Sequence, residues 1–228
     1  MPDQISHQVQ TRFREAAALM LWKAGAIKIN LDQPFKLASG NFSPIYINCR
    51  QVISDPVFMQ LFVAAASHLK RSESIHADIV AGGETAGIPF AAYIAGGLSL
   101  PLIYVRKAVK GYGIGSLVEG GDVTGKWVLL VEDLITDAGS KLHFINGIKS
   151  AGGTVTDVLV LFDRLQGGGE ALSRLNIRLH SVTDIETALQ TAKSASLWSG
   201  DVVDSVVGYL ENPGAWHQAR GLEYKAMP

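Results

Sequence analysis

Cysteine occurs once in the chain, at Cys49. A single thiol excludes an intramolecular disulfide and a cysteine-rich zinc site, and nothing beside it favours a nucleophile over a small buried residue. Charge is scarce as well: Lys and Arg number 20, Asp and Glu 21, and charged residues make up 18% of the chain. The net charge of −1 supplies no general field for nucleic acid, so any anion binding must come from local basic clusters. Long apolar runs are missing; each is broken by Gly, Pro or charge well short of a membrane span. Residues 1–10 are polar and lack the apolar stretch of a signal peptide. No repeat or low-complexity tract is seen, and His68, His76, His143, His180 and His217 show no metal-ligand spacing. The expectation is a cytoplasmic protein with neither nucleic acid nor membrane as partner.

What is present suits a packed globular fold. Of the 228 residues 47% are hydrophobic, enough for one large core but hardly for two independent ones. Apolar positions at helical spacing run from Arg12 to Ala24, with Gly25 as a stop, and again from Phe58 to Leu69. Between them Ala26–Ile29, Lys36–Leu37 and Ile45–Asn48 read as short strands, with a turn at 38–41. From Asp78 onward strands and helices alternate. Ile79–Ala81, Leu102–Val105, Trp127–Val131 and Val155–Phe162 are apolar runs, and Ile177–Ser181 follows as a last strand. Helices are expected over Pro89–Ala95 and from about Gly139 to Ala151. Unbroken apolar strands separated by helices indicate an α/β fold with a mostly parallel sheet covered on both faces. Ligands of such sheets bind at the carboxyl ends of the strands. Chemistry is therefore sought in the loops after Ala81, Val105, Val131 and Phe162.

The loop after Val131 reads Glu132-Asp133-Leu134-Ile135-Thr136-Asp137-Ala138-Gly139-Ser140. Two adjacent carboxylates at a strand end can accept from ribose hydroxyls. The small and hydroxyl residues that follow open a helix, whose free N–H groups can cradle a phosphate. The same residues are the usual helix caps, and the segment alone does not separate the two readings. It is neither a Walker loop, lacking Gly-Lys-Ser/Thr, nor a Gly-x-Gly-x-x-Gly fingerprint.

The loop after Val105 holds Arg106, Lys107 and Lys110, followed by Gly111, Tyr112 and Gly113. Three cations in five residues, with glycines beside them, make a basic lid that could stabilise an anionic leaving group and exclude water. A solvated charged loop is the plain alternative. After the strand ending at Phe162 stands Asp163-Arg164, whose guanidinium suits a planar carboxylated ring or a surface ion pair.

Read together, these segments resemble the orotate phosphoribosyltransferases of the type I phosphoribosyltransferase group. Glu132 to Ser140 is similar to the family's phosphoribosyl-pyrophosphate signature, with Thr136 where purine-specific members carry aspartate. Arg106-Lys107-x-x-Lys110 matches its catalytic loop, Tyr112 standing for a histidine. Phe35 to Asn48, with Ser39-Gly40 and Ser43-Pro44, resembles its N-terminal hood; Gly82 to Pro89 resembles its pyrophosphate loop; and Asp163-Arg164 matches its Asp-Arg pair. Ala38 and Ala86 replace lysines, Ala138 replaces a glycine and Asp137 adds a charge, which suggests a divergent branch.

The resemblance implies the type I phosphoribosyltransferase fold with a small hood over about residues 1–55, a core over about 56–195 and a C-terminal extension over about 196–228. It implies transfer of phosphoribosyl from phosphoribosyl pyrophosphate to orotate, giving orotidine 5′-phosphate in pyrimidine biosynthesis. Arg106, Lys107 and Lys110 would be catalytic. They, with Tyr112 and residues Glu132, Asp133, Leu134, Ile135, Thr136, Asp137, Ala138, Gly139 and Ser140, would bind the phosphoribosyl donor. Thr136, Arg164 and Tyr46 would hold orotate, and Mg2+ would be held mainly by substrate. A homodimer, its lids shared across the interface, is implied too. The competing readings are a non-catalytic sensor of the same donor, for which no helix-turn-helix output is found, and a transferase for another base, which Thr136 and Arg164 disfavour.

Overall fold

The computed structural model describes residues 2–37, 39–108 and 117–225. Helix α1 (Pro2–Lys23) starts well before the apolar periodicity predicts, because its first turns are polar and face solvent, where no burial period marks them. Its later turns bury Ala17, Ala18, Leu21 and Trp22, and Gly25, at a φ of 66°, ends it. Two small antiparallel ribbons follow: β1 (Ile27–Ile29) pairs with β4 (Ile45–Ile47), and β2 (Phe35–Lys36) with β3 (Phe42–Ser43). After a single 3-10 turn at Cys49–Val52 comes α2 (Pro56–Ser72). Asp55 caps α2 by accepting the Val57 and Phe58 N–H groups, and Pro56 takes the first turn, where no N–H is missed. Phe58, Met59, Phe62, Ala65, Ala66 and Leu69 form its buried face.

The alternating part comprises β5 (Ile79–Gly83), α3 (Gly87–Leu98), β6 (Leu102–Val105), β7 (Val118–Glu119), β8 (Val128–Ile135), α4 (Gly139–Ser150), β9 (Asp157–Asp163), α5 (Gly168–Ser173) and β10 (Arg178–Asp184). The sheet order is β10-β9-β8-β5-β6-β7, parallel throughout except where β7 runs against β6. Strand residues alternate between two cores. Val80, Leu129, Val131, Leu159 and Leu161 face the one shared with α1, α2 and α3. Ala81, Val128, Leu130, Val158 and Val160 face the one shared with α4. The expected α/β architecture is thus the observed one.

Several strands outrun their expected ends. β8 continues through Glu132 and Asp133 to Ile135, because β9 goes on pairing with it at Glu132↔Val160 and Leu134↔Phe162. The acidic pair is therefore strand, not loop. β5 likewise reaches Gly83, paired with Val105 of β6. The stretch read as one polar loop after Val105 returns as β7, with Arg106 N–H donating to the Leu117 carbonyl at 2.9 Å.

The chain then adds α6 (Ile185–Ser194), α7 (Gly200–Glu211) and α8 (Pro213–Gln218). Val203, Val206, Tyr209 and Trp216 join the core that holds α1 and α2. The Trp22 indole N–H donates to the Ala188 carbonyl at 2.8 Å, tying α1 to α6. Among the described residues no helix is long and apolar enough to cross a membrane.

Candidate functional site

β5 has β6 on one side and β8 on the other, so the chain reverses direction across the sheet there and leaves a crevice beyond the strands' carboxyl ends. The residues singled out from the sequence gather at that edge. Glu132 turns inward. Its carboxylate accepts the Gly83 N–H at 3.0 Å and lies 3.3 Å from the Lys141 ammonium, with both side chains at least 90% buried. Burial pushes its pKa up to about 7, against the pull of Lys141 and helped by neighbouring Asp133. A Cβ on either Gly83 or Gly87 would overlap the Glu132 carboxylate, so both glycines are needed for this approach. A carboxylate engaged in this way ties the end of β5 to the start of α4. Asp133 is half-buried, and its pKa is also raised by burial.

The loop after β8 begins at half-buried Thr136 and continues through exposed Asp137. Ala138 is buried at a φ of 67°, the left-handed conformation that glycine takes more readily. The first helical bond runs from Leu142 N–H to the Ala138 carbonyl, so the N–H groups before it open towards the loop. One is already used: Gly139 donates to Asp137 Oδ1 at 3.0 Å. Gly139 and Ser140 are exposed at the mouth, while Leu134 and Ile135 are strand residues.

The base of the basic loop is held at three points. Lys107 N–H donates to Glu84 at 2.8 Å, the Arg106 guanidinium lies 3.8 Å from Glu119, and His143 contacts the Arg106 carbonyl at 3.2 Å. Lys107 is exposed beside the glycine turn after β5. Lys110 and Tyr112, like Ala38, lie outside the described residues.

Beyond Thr136 a cavity of about 290 Å3 opens between the loop after β8, the loop after β9 and the β2–β3 ribbon. Thr136, Asp137, Arg164 and Gln166 line it from the sheet side, Leu37, Ser39 and Asn41 from the ribbon. Tyr209, Pro213 and Tyr224 close it from the C-terminal end. Arg164 Nη2 is buried with no hydrogen-bond partner among the described residues. Burial lowers the pKa of its guanidinium, with Tyr209 opposing. Such an orphaned donor group is costly unless a ligand meets it. Tyr46, expected beside the base, is not among the lining residues; its ring is exposed and stands 5.6 Å from that of Phe35. The aromatic faces of the cavity are Tyr209 and Tyr224. Nothing in their local sequence marked them, since each reaches the site only through the packing of the C-terminal end.

No protein-family model matches the chain. The chain is 40% identical over 221 residues to the orotate phosphoribosyltransferase of Rhizobium johnstonii, covering 93% of this chain and 96% of that protein. The chain belongs to the orotate phosphoribosyltransferases. The enzyme's fold agrees. The crystal structure of orotate phosphoribosyltransferase from Aeropyrum pernix superposes with a TM-score of 0.69 at 35% identity, over 80% of this chain and 99% of that one. That of Mycobacterium tuberculosis, solved in complex with 5-phospho-alpha-D-ribosyl 1-diphosphate, gives a TM-score of 0.64 at 25% identity, over 77% and 98%. The enzyme is thus a pentosyltransferase with a type I phosphoribosyltransferase fold.

Proposed function

We propose that the enzyme transfers phosphoribosyl from phosphoribosyl pyrophosphate to orotate, a step of pyrimidine biosynthesis, in the crevice beyond β5, β8 and β9. The observation that carries this reading is Arg164, which lines a cavity shared with Thr136 and whose buried Nη2 has no partner among the described residues. A carboxylated pyrimidine supplies the anion that such a group lacks, and the Thr136 hydroxyl gives the ring a second polar contact. The free N–H groups at the start of α4, with Ser140, would seat the 5′-phosphate next door. Asp133 would accept from the ribose hydroxyls, and Glu132 would act one step back by fixing the Gly83 turn. Arg106, Lys107 and, by its place in the same loop, Lys110 would stabilise the charge developing on pyrophosphate as the glycosidic bond loosens. Tyr112 keeps a hydroxyl for the same anion. Orotate needs no strong base, because its deprotonated ring is already the nucleophile. Positioning and electrostatics then supply most of the acceleration.

A divalent cation, magnesium in our reading, would be held mainly by substrate oxygens. Among the described residues no group of three or more His, Cys, Asp or Glu could hold a metal ion, and Glu132 is engaged by Lys141, so Asp133 is the acid free to contribute. When bound, the ion would serve as Lewis acid and template for the pyrophosphate. We also propose a cytoplasmic homodimer in which each basic loop serves its partner's crevice. The exposed apolar face of α2 and α3, with Val57 and Tyr93 in solvent, supports the pairing with a second copy.

The deciding experiment follows the loss of orotate absorbance with phosphoribosyl pyrophosphate and magnesium, for the enzyme and for Arg164→Ala. Turnover by the first and a sharply raised KM for orotate in the second are expected. An unchanged KM for orotate would remove Arg164 from the base site.

A further inference from the structure

Walls of the cavity come from the last stretch of chain, and that stretch is anchored at two of its own points, His217 and Lys225, to adjacent residues at the start of β3. Buried Asn41 donates its side-chain Nδ2–H to the Lys225 carbonyl at 2.8 Å and accepts the Lys225 backbone N–H at 2.9 Å. The Phe42 N–H donates to His217 Nε2 at 3.0 Å, and His217 Nδ1 donates to the Pro213 carbonyl at 2.6 Å. Both ring nitrogens are thereby used by a neutral imidazole that is fully buried. The His217 ring stands 5.0 Å from that of Tyr224 and 6.3 Å from that of Tyr209. These contacts hold Tyr224 over the opening and Tyr209 beside Arg164.

The result is a guanidinium whose Nη2 is shut off from solvent, with Tyr209 and Tyr224 among the walls of the cavity it lines. In a wet pocket, water would solvate Arg164 whenever a neutral base entered, and little would be lost. In a dry pocket, a neutral base leaves a buried charge unpaired, while a carboxylate satisfies it. Rejection of the neutral base then depends on the wall, not on Arg164 alone.

We propose that the C-terminal strap, residues 213–225 with Tyr224 near its end, sets the enzyme's preference for a carboxylated pyrimidine by keeping water from Arg164. The inference rests on the seating of orotate by Arg164 proposed above. Tyr224 is on this view a specificity residue, and Asn41 and His217 are positioning residues that act through it.

The test compares orotate with orotamide, its neutral amide, taking the ratio of the Ki of orotamide to the KM of orotate. Tyr224→Ala is expected to lower that ratio about tenfold, with the KM for phosphoribosyl pyrophosphate and the melting temperature unchanged. Tyr224→Phe, which keeps the ring, should restore the ratio. Asn41→Ala, which frees the strap from its far side, should lower it too, and serves if Tyr224→Ala does not fold. Arg164→Ala is the control and should abolish the preference. A wild-type ratio in both strap variants, with loss in Arg164→Ala, would overturn the strap and leave the seat intact. A wild-type ratio in all three variants would overturn the seat, and the strap with it.

Discussion

Asp137 accepts the Gly139 N–H at 3.0 Å and so places a negative charge on a donor that a phosphate would otherwise use. The side chain is exposed, which limits its repulsion to about 0.5–1 kcal/mol at low salt. Asp137→Asn keeps the accepting oxygen and removes the charge. Its KM for phosphoribosyl pyrophosphate should fall about two- to fivefold, and the gain should shrink as salt rises. A raised KM would mean that the carboxylate helps to hold the donor. One position on, two opposing effects nearly cancel. The left-handed backbone of Ala138 costs about 1–2 kcal/mol, but its buried methyl returns about 0.8 kcal/mol, and the residue is only 1% exposed. Ala138→Gly should therefore change stability by about 1 kcal/mol or less, towards greater stability. Thermal unfolding of the two proteins checks this, and a loss beyond that range would show that the methyl does more than fill space.

Between β5, β8 and α4 a single buried carboxylate connects three elements, and its titration should be visible in the stability of the whole. The folded pKa of Glu132, about 7, lies above its ordinary value of 4.5, so the folded protein holds this proton more tightly than the unfolded chain does. Its contribution is fully present below pH 4.5 and is lost as pH rises to about 7. The loss amounts to about 3 kcal/mol. Glu132→Gln keeps an oxygen for the Gly83 N–H but no longer titrates. Denaturant unfolding between pH 4.5 and 7.5 should show a flatter pH dependence for the variant. An identical slope in the two proteins would mean that Glu132 is ionised throughout. Legibility in the sequence follows the same division between elements. Strands buried on both faces announce themselves as apolar runs, which is why β5, β6, β8 and β9 could be read directly. The carboxylates of β8 hid the strand's true end, since sheet pairing with β9, not residue type, carries it on to Ile135. Thr136 and Arg164 were legible because each follows a readable strand. Tyr209 and Tyr224 were not, because contacts such as that between Asn41 and Lys225 span 184 positions and leave no local spacing to detect.

At the scale of the whole molecule the open question is which crevice each basic loop serves. Lys107 is fixed by its backbone to Glu84, at the edge of the sheet formed by β6 and β7, while Arg164 sits across the crevice at the end of β9. If every lysine served its own chain, Lys107→Ala and Arg164→Ala proteins, assayed at orotate far below the raised KM of the second, would have little activity alone and no more when mixed. If the loops cross a two-fold axis, a mixed dimer contains one crevice spoiled twice and one with both groups intact. Random reassociation of equal amounts makes half of the dimers mixed, so activity should recover to about a quarter of the wild-type level. The variants must be unfolded and refolded together, or expressed together, so that subunits exchange, with size-exclusion chromatography confirming dimers. Recovery near a quarter would establish both the dimer and the shared loop in one measurement. Dimers without recovery would assign each loop to its own crevice, and monomers would remove the second copy from the reaction altogether.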